Sequence, residues 1–425
     1  VKETLHVSPD ADMDAVPSAP PSIWARRDMR IILPARAIST AGSAMTTVAL
    51  LLHLHDSGAG GLAIAAMMAC TAVPTICVIG LAGRVADERD SRNVLALTAI
   101  VQTLCCVALV GSQRLWVVYP LMIVMQTAGA FAGPTWSALV PRASGEGLIG
   151  KAVAWQQGLN SVAAPTGMAL GGFLVGLGDI GWVFVIDAAT FAALLVAGLL
   201  LHTRRNGPAE REHVARHGAD APRPPKWNVG LAVVRADLVV WPLFVALMPM
   251  VLLVEGINPA EIFLARDELG ASPWQYGLTD VFAGAGAVIG SYLAARRGGD
   301  RFWVRGTLAG FAIACASILT NGFMQHFWTY VVVLVVLAIG SGLGNACLGA
   351  VIMTRTADAD RGKVQATLNA VAKVFSLAAL AIGGGAVGLL GPRPVFVAGG
   401  IGGLAVLALA AAVLFRRTDP IPAPA

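Results

Sequence analysis

Hydrophobic residues in this chain come in long blocks, set apart by short polar breaks. Runs of roughly 17–25 apolar residues, the length a helix needs to cross a bilayer, occupy 31–53, 62–83, 93–112, 115–138, 152–175 and 181–203, then 239–262, 274–295, 303–323, 328–353, 364–389 and 394–415. Within the blocks polar and apolar positions do not alternate, so each predicts a transmembrane helix rather than a barrel strand. Residues 1–27 and 418–425 are polar, Pro-rich and unpatterned and read as cytoplasmic tails, the first disordered and without the basic-then-apolar order of a secretory signal. Residues 204–238 read as a solvated linker between two six-helix bundles, 28–203 and 239–417.

Composition agrees with a bilayer as solvent. The chain is 56% hydrophobic and 13% charged, whereas soluble domains run near 45–50% apolar and about 25% charged. The breaks alternate in basic content. Those on the side of the predicted tails and linker hold 25 of the 30 Lys and Arg residues, and those on the other side hold only Arg114, Arg266 and Arg393. The positive-inside rule therefore puts both termini in the cytoplasm, and a bacterial inner membrane is the expected location. The excess of basic residues is a topology signal and calls for no nucleic acid. All six cysteines fall within predicted spans, with no disulfide frame, metal-ligand spacing or cofactor motif, so no metal or cofactor is expected.

The six-plus-six layout suggests a duplication. A shift of 212 residues places Arg84, Glu88 and Arg89 on Arg296, Asp300 and Arg301, Gly150-Lys151 on Gly362-Lys363, Gly171-Gly172 on Gly383-Gly384, and Gly58-Ala59 on Gly270-Ala271. Parallel six-span repeats of this kind build one large class of transporters, with the substrate site at the midplane between the halves.

Six charged side chains crowd into the stretch "GLAGRVADERDSRN" (80–93) between the second and third spans. With "GPTWSALVP" (133–141), "VIDAATFAALL" (185–195) and "ELGASPWQYGL" (268–278), it resembles the major facilitator superfamily, in its drug-efflux-like branch of siderophore and macrolide exporters. The likeness covers about 28–417. It implies an all-α fold of twelve transmembrane helices in two pseudo-symmetric six-helix bundles, and alternating-access transport rather than catalysis. Gly83, Ala86, Asp87 and Arg92 match the family's signature loop, while Glu88, Ser91 and Asn93 stand where basic residues are common. The resemblance implies a cytoplasmic gate of Gly83, Arg84, Asp87 and Arg92. In it Asp87 accepts hydrogen bonds from the helix N-terminus of the eleventh span near Gly362 and favours its positive dipole end. Alternatively the loop only fixes topology.

Ionisable groups inside a membrane are costly and usually functional. The candidates for proton coupling are Asp187, Glu255, Asp280 and Lys373. At ~1.5 Å per residue the three acids lie ~4–8 Å outward of their span centres and Lys373 a similar distance inward. Glu255 and Asp280, on consecutive helices at similar depth, form the preferred pair: two desolvated carboxylates close together do not both stay ionised, as a proton carrier requires. The alternative is that one faces a water-filled vestibule. Asp187 matches an aspartate common in the resembled family and serves equally as a structural contact. Lys373 pairs with an acid or binds an anionic substrate group.

Arg36, Gln156, Gln157, Asn160 and Asn369 are the substrate-cavity candidates, with Gln157 and Asn369 related by the 212 shift. Arg36 alternatively snorkels to the membrane edge, and the amides alternatively join helices. "HLHD" (53–56) reads as an interfacial loop, because histidines two apart do not share a helix face. Two antiporter features are altered. Met125 replaces the arginine usual in the fourth span, and Pro165 lies six residues before Gly171-Gly172. The expected protein is a monomeric exporter of an amphipathic small molecule such as an antibiotic, drug or siderophore, driven by proton antiport across the bilayer. An importer or uniporter, or a membrane sensor or enzyme, are the alternatives.

Overall fold

The computed structural model describes residues 22–112, 114–145, 148–205, 234–235, 237, 240–356 and 360–416. Most of the predicted N-terminal tail and linker, and the C-terminal tail, lie outside them. Twelve described helices or helix pairs are long and apolar enough to span a membrane. They are α1 (Arg27–Asp56), α2 (Gly61–Glu88), α3 (Ser91–Gly111), α4 (Leu115–Ser144), α5 (Ile149–Gly176) and α6 (Gly181–Leu200). The second set is α7, broken into α7a (Val240–Glu255) and α7b (Asn258–Phe263), then α8 (Pro273–Ala295), α9 (Asp300–Asn321), α10 (Phe327–Arg355), α11 (Arg361–Leu390) and α12 (Pro392–Arg416).

The helices outrun the apolar blocks that predicted them, because a helix ends where its backbone is capped and not where hydrocarbon stops. α4 carries three prolines, Pro120, Pro134 and Pro141, and continues past the predicted residue 138 to Ser144. α3 starts where the Asp90 carboxylate accepts from the Arg92 N–H at 2.9 Å, and α8 starts on a Ser272–Gln275 capping box followed by Pro273. Gly58 and Gly270, related by the 212 shift, take φ of 77° and 66° in the turns after α1 and α7. A side chain there would be strained, which accounts for the repeated glycine.

Tryptophans mark the two membrane interfaces. Trp116, Trp182, Trp274 and Trp328 sit at the starts of α4, α6, α8 and α10, and all four are exposed. Trp24, Trp155, Trp241 and Trp303 sit near the starts of α1, α5, α7 and α9, at the opposite end. That second end, where the sequence gathers its arginines, is called the basic end below, and the first the far end.

Each bundle is knitted by small-residue crossings that bring backbones together. A Cβ on Gly171 would meet the Met45 carbonyl oxygen at 2.6 Å, so α5 lies directly on α1, and Gly310 and Gly340 do the same for α9 and α10. Two further crossings join the bundles. At the far half of α5 and α8, Gly172 meets the Gly277 backbone at 3.0 Å, and at the far half of α2 and α11, Gly384 meets the Gly61 carbonyl at 2.7 Å and also touches Ala65. These seams are images of each other under the 212 shift: 172 becomes 384, while 61 and 65 become 273 and 277, the second seam's partners of Gly172. Toward the basic end Gly80, Gly83, Gly150 and Gly158 have open space where a Cβ would stand. The described interface between the bundles is tight at the far end.

Candidate functional site

The far end is bolted across the bundles by charge. His55 Nε2 lies 2.8 Å from Asp267 Oδ1 and His55 Nδ1 lies 3.0 Å from Asp56 Oδ1, while Arg266 Nη2 donates to Asp56 Oδ1 at 2.8 Å. His55 and Asp267 are themselves 212 apart. Two equivalent positions of a duplicated fold touch only near the pseudo-twofold axis, so this latch sits over the central path. Both imidazole nitrogens face carboxylate oxygens. The "HLHD" stretch, read as an interfacial loop, is one side of this latch. The other side is a π turn, Leu264–Glu268, that continues α7b, and Arg393 Nε braces the turn by donating to Glu268 at 2.9 Å.

Just beneath the latch, on the same short segment, is an acid that the sequence reading passed over. Tyr330 Oη donates to Glu261 at 3.1 Å, and Asp280 and Tyr276 lie within electrostatic reach of Glu261. Tyr330 and Tyr276 are buried. The carboxylate that the structure places with Asp280 is thus Glu261. Glu255, expected in that role, ends α7a at the helix break, where Asn258 Nδ2 donates to it at 2.8 Å and Ser376 Oγ lies 3.4 Å away. Gly383 of α11 packs against the Gly256 carbonyl at the break. Irregular backbone at membrane depth is tolerated where protein covers it or where it lines a cavity.

Asp187 is fully buried inside the first bundle. Thr46 and Thr190 donate to its two oxygens at 2.7 and 3.0 Å, and Cys106 Sγ is 3.6 Å away. Met125, at the position where antiporters carry arginine, is buried with its sulfur 3.7 Å from Cys106. The Cys106 thiol therefore touches both Asp187 and Met125.

Each bundle holds a cavity of several hundred cubic ångströms. The second bundle's encloses about 430 Å³ against α7a, α9, α10 and α11, is mostly apolar, and includes Glu255, Asn345 and the predicted Asn369. The first bundle's encloses about 490 Å³ and includes Arg36, Gln102 and Trp136. The 212 shift relates part of the two linings: Arg36 maps onto Met248, Ser43 onto Glu255, Gly129 onto Ser341 and Trp136 onto Leu348. They are equivalent walls of a duplicated structure. Of the other predicted cavity residues, Gln157 is exposed on α5, and Gln156 and Asn160 are half-buried beside it. Lys373 is exposed on α11.

At the basic end, Asp87 pairs with Arg205 at 2.7 Å. The Ser91 N–H donates to the Arg205 carbonyl at 3.0 Å, and an Arg92 guanidinium nitrogen donates to the Leu199 carbonyl. The signature loop is thereby stitched to the chain leaving α6. Gly83 is half-buried and Arg84 exposed. The side chains of 361–363, the α11 partner region implied for Asp87, lie outside the described residues.

Paired six-helix bundles with pseudo-symmetric cavities, closed across one end, define a membrane transporter of the alternating-access class. The chain matches the Major Facilitator Superfamily over residues 32–279 and 243–425, and it belongs to that family. It is 23% identical over 364 residues to the uncharacterized MFS-type transporter YfiS of Bacillus subtilis (strain 168), covering 84% of this chain and 86% of that one. Among solved structures it is similar to a bacterial homolog of the human lysosomal transporter Spinster in an inward-facing, unoccupied conformation, with TM-score 0.69, 14% identity, and coverage of 94% and 98%. It is also similar to the nucleoside transporter NupG, with TM-score 0.68, 12% identity, and coverage of 92% and 100%, and to the human organic anion transporter MFSD10, with TM-score 0.62, 14% identity, and coverage of 92% and 100%.

Proposed function

We propose that this transporter exports an amphipathic small molecule, such as an antibiotic, drug or siderophore, by proton antiport across a bacterial inner membrane. The basic end faces the cytoplasm, as 25 basic residues against three favour, and the chain works as a monomer. With the far end latched, this is the state that faces inward.

The observation that carries coupling is the Glu261–Asp280 pair. Its Glu261 lies on the segment that also holds the Arg266 and Asp267 half of the latch. In this reading the two acids beside the latch exchange a proton when water reaches them. Opening the far end admits that water, and the proton state of the pair biases which end is open. Export as the direction rests on the resemblance of the loop at 80–93, whose Gly83, Arg84, Asp87 and Arg92 act in this reading as the cytoplasmic gate. Asp187 holds the first bundle together.

Everted vesicles energised inside-acid test the reading. A panel of lipophilic antibiotics and dyes is expected to yield at least one compound that accumulates, with accumulation collapsed by a protonophore. Gradient-driven accumulation seen only in right-side-out vesicles would reverse the direction and make the protein an importer.

A further inference from the structure

The duplicated cavity walls differ in their charge. Arg36 stands where its equivalent is Met248, and Glu255 stands where its equivalent is Ser43. One scaffold, used twice, thus presents a single cation on one wall and a single anion on the other.

Among the described residues no acid pairs with the cation. Arg36 Nη1 is buried and has no hydrogen-bond partner among the described residues, and its guanidinium lies 5.9 Å from the centre of the Trp136 ring. A guanidinium offers five N–H donors in a fixed fork that matches a carboxylate or phosphate. A buried donor left empty is costly, and inside a membrane such a group marks a substrate path. The residue is half-buried, with the orphaned nitrogen enclosed. Glu255 on the other wall has, among the described residues, the neutral partners Asn258 and Ser376. Its surroundings are mostly apolar, with Leu247 and Phe311 in the same cavity.

We infer that the transported molecule is charge-asymmetric: its anionic group (carboxylate, phosphate or sulfonate) sits on Arg36, its basic amine on Glu255, and its apolar body between them. This deepens the proposed function and rests on its alternating-access reading, in which both walls face one path. It separates the two acidic features by task, with Glu255 reading the substrate and Glu261–Asp280 carrying the proton.

The test uses three forms of one biphenyl amino acid: the zwitterion, its methyl ester (cation only) and its N-acetyl derivative (anion only). Binding is measured by titration calorimetry on the full chain in lipid nanodiscs, with empty nanodiscs as the partition control. The zwitterion is expected to bind at least about tenfold tighter than either derivative, the size of one lost charge-assisted hydrogen bond. Arg36→Met, which installs the residue found at position 248, should erase the penalty for the ester and leave that for the N-acetyl form. Glu255→Gln should do the reverse. Arg36→Lys retains the charge and should restore part of the preference, which separates charge recognition from a folding defect. The inference is overturned if the three forms bind within about twofold of one another, if none binds, or if either substitution leaves both penalties in place. No gradient enters this assay. Zwitterion preference without gradient-driven transport would sink the antiport reading alone, and gradient-driven transport without charge preference would sink this inference alone.

Discussion

Asp280→Asn is expected to reduce gradient-driven accumulation to the level of protonophore-treated vesicles while leaving substrate-for-substrate exchange intact. Asparagine keeps the size and hydrogen-bonding capacity of the side chain but cannot take up and release a proton. With one proton exchanged per substrate, a gradient of one pH unit supports about tenfold accumulation, since 1.4 kcal/mol corresponds to a factor of ten. The variant should therefore fall from about tenfold to unity. Glu261→Gln should behave alike, because Tyr330 still donates to the amide oxygen where it donated to Glu261. Glu255→Gln is the discriminating control. Its carboxylate meets Asn258 and Ser376 and lines a cavity, so it should alter affinity and leave the tenfold gradient ratio unchanged. Exchange surviving with coupling lost is the signature; loss of both would mean a damaged fold. Retained coupling in both Asp280→Asn and Glu261→Gln would remove the pair from the mechanism.

The second large effect is expected from Gly172→Leu combined with Gly384→Leu. The two glycines occupy equivalent crossings at the far end, against Gly277 at 3.0 Å and against the Gly61 carbonyl at 2.7 Å. A leucine at either place displaces backbone and not merely a flexible side chain, and cores transmit such displacements because they are close-packed. Each bundle remains intact, since Gly171 and Gly383 keep their own crossings on Met45 and Gly256. The consequence falls on the far-end closure alone. Overpacking of this kind costs about 1–3 kcal/mol per site. Two sites together shift the closure equilibrium by roughly 30-fold or more against the latched state. Transport should drop accordingly, and the variant should stay well folded by thermal melting. Unchanged transport would show that the far end closes elsewhere.

Much of this design is legible in the chain because a bilayer constrains it so strongly. Roughly 20 apolar residues must appear for every crossing, so all twelve spans can be read, and the 212 shift that aligned charges and glycines in the sequence also relates the seams, the cavities and the latch. What is not legible follows from the same physics. Glu261 lies one residue inside the predicted end of its block, where hydropathy cannot separate a loop acid from a buried one. Its significance depends on the break at Gly256 and on Tyr330 arriving from α10. The latch joins His55 to Asp267 and Asp56 to Arg266 across more than two hundred residues, and each half alone looks like ordinary interfacial charge. Arg205, the partner of Asp87, stood in a segment read as linker. Depth along the helices pointed to Glu255 as the neighbour of Asp280, whereas the acid within electrostatic reach of Asp280 is Glu261, which only the fold reveals.

Alternating access between a latched far end and a basic-end opening is the central claim, and paired distance measurements by pulsed electron spin resonance address it most directly. One label pair, on Ser57 and Phe323, would span the bundles at the far end; a second, on Arg84 and Arg297, would span them at the basic end. All four positions are exposed. Acidifying the far side of reconstituted protein, or adding substrate, is predicted to lengthen the far-end distance while shortening the basic-end distance in the same population. Both distances changing in the same direction, or neither changing, would contradict the account.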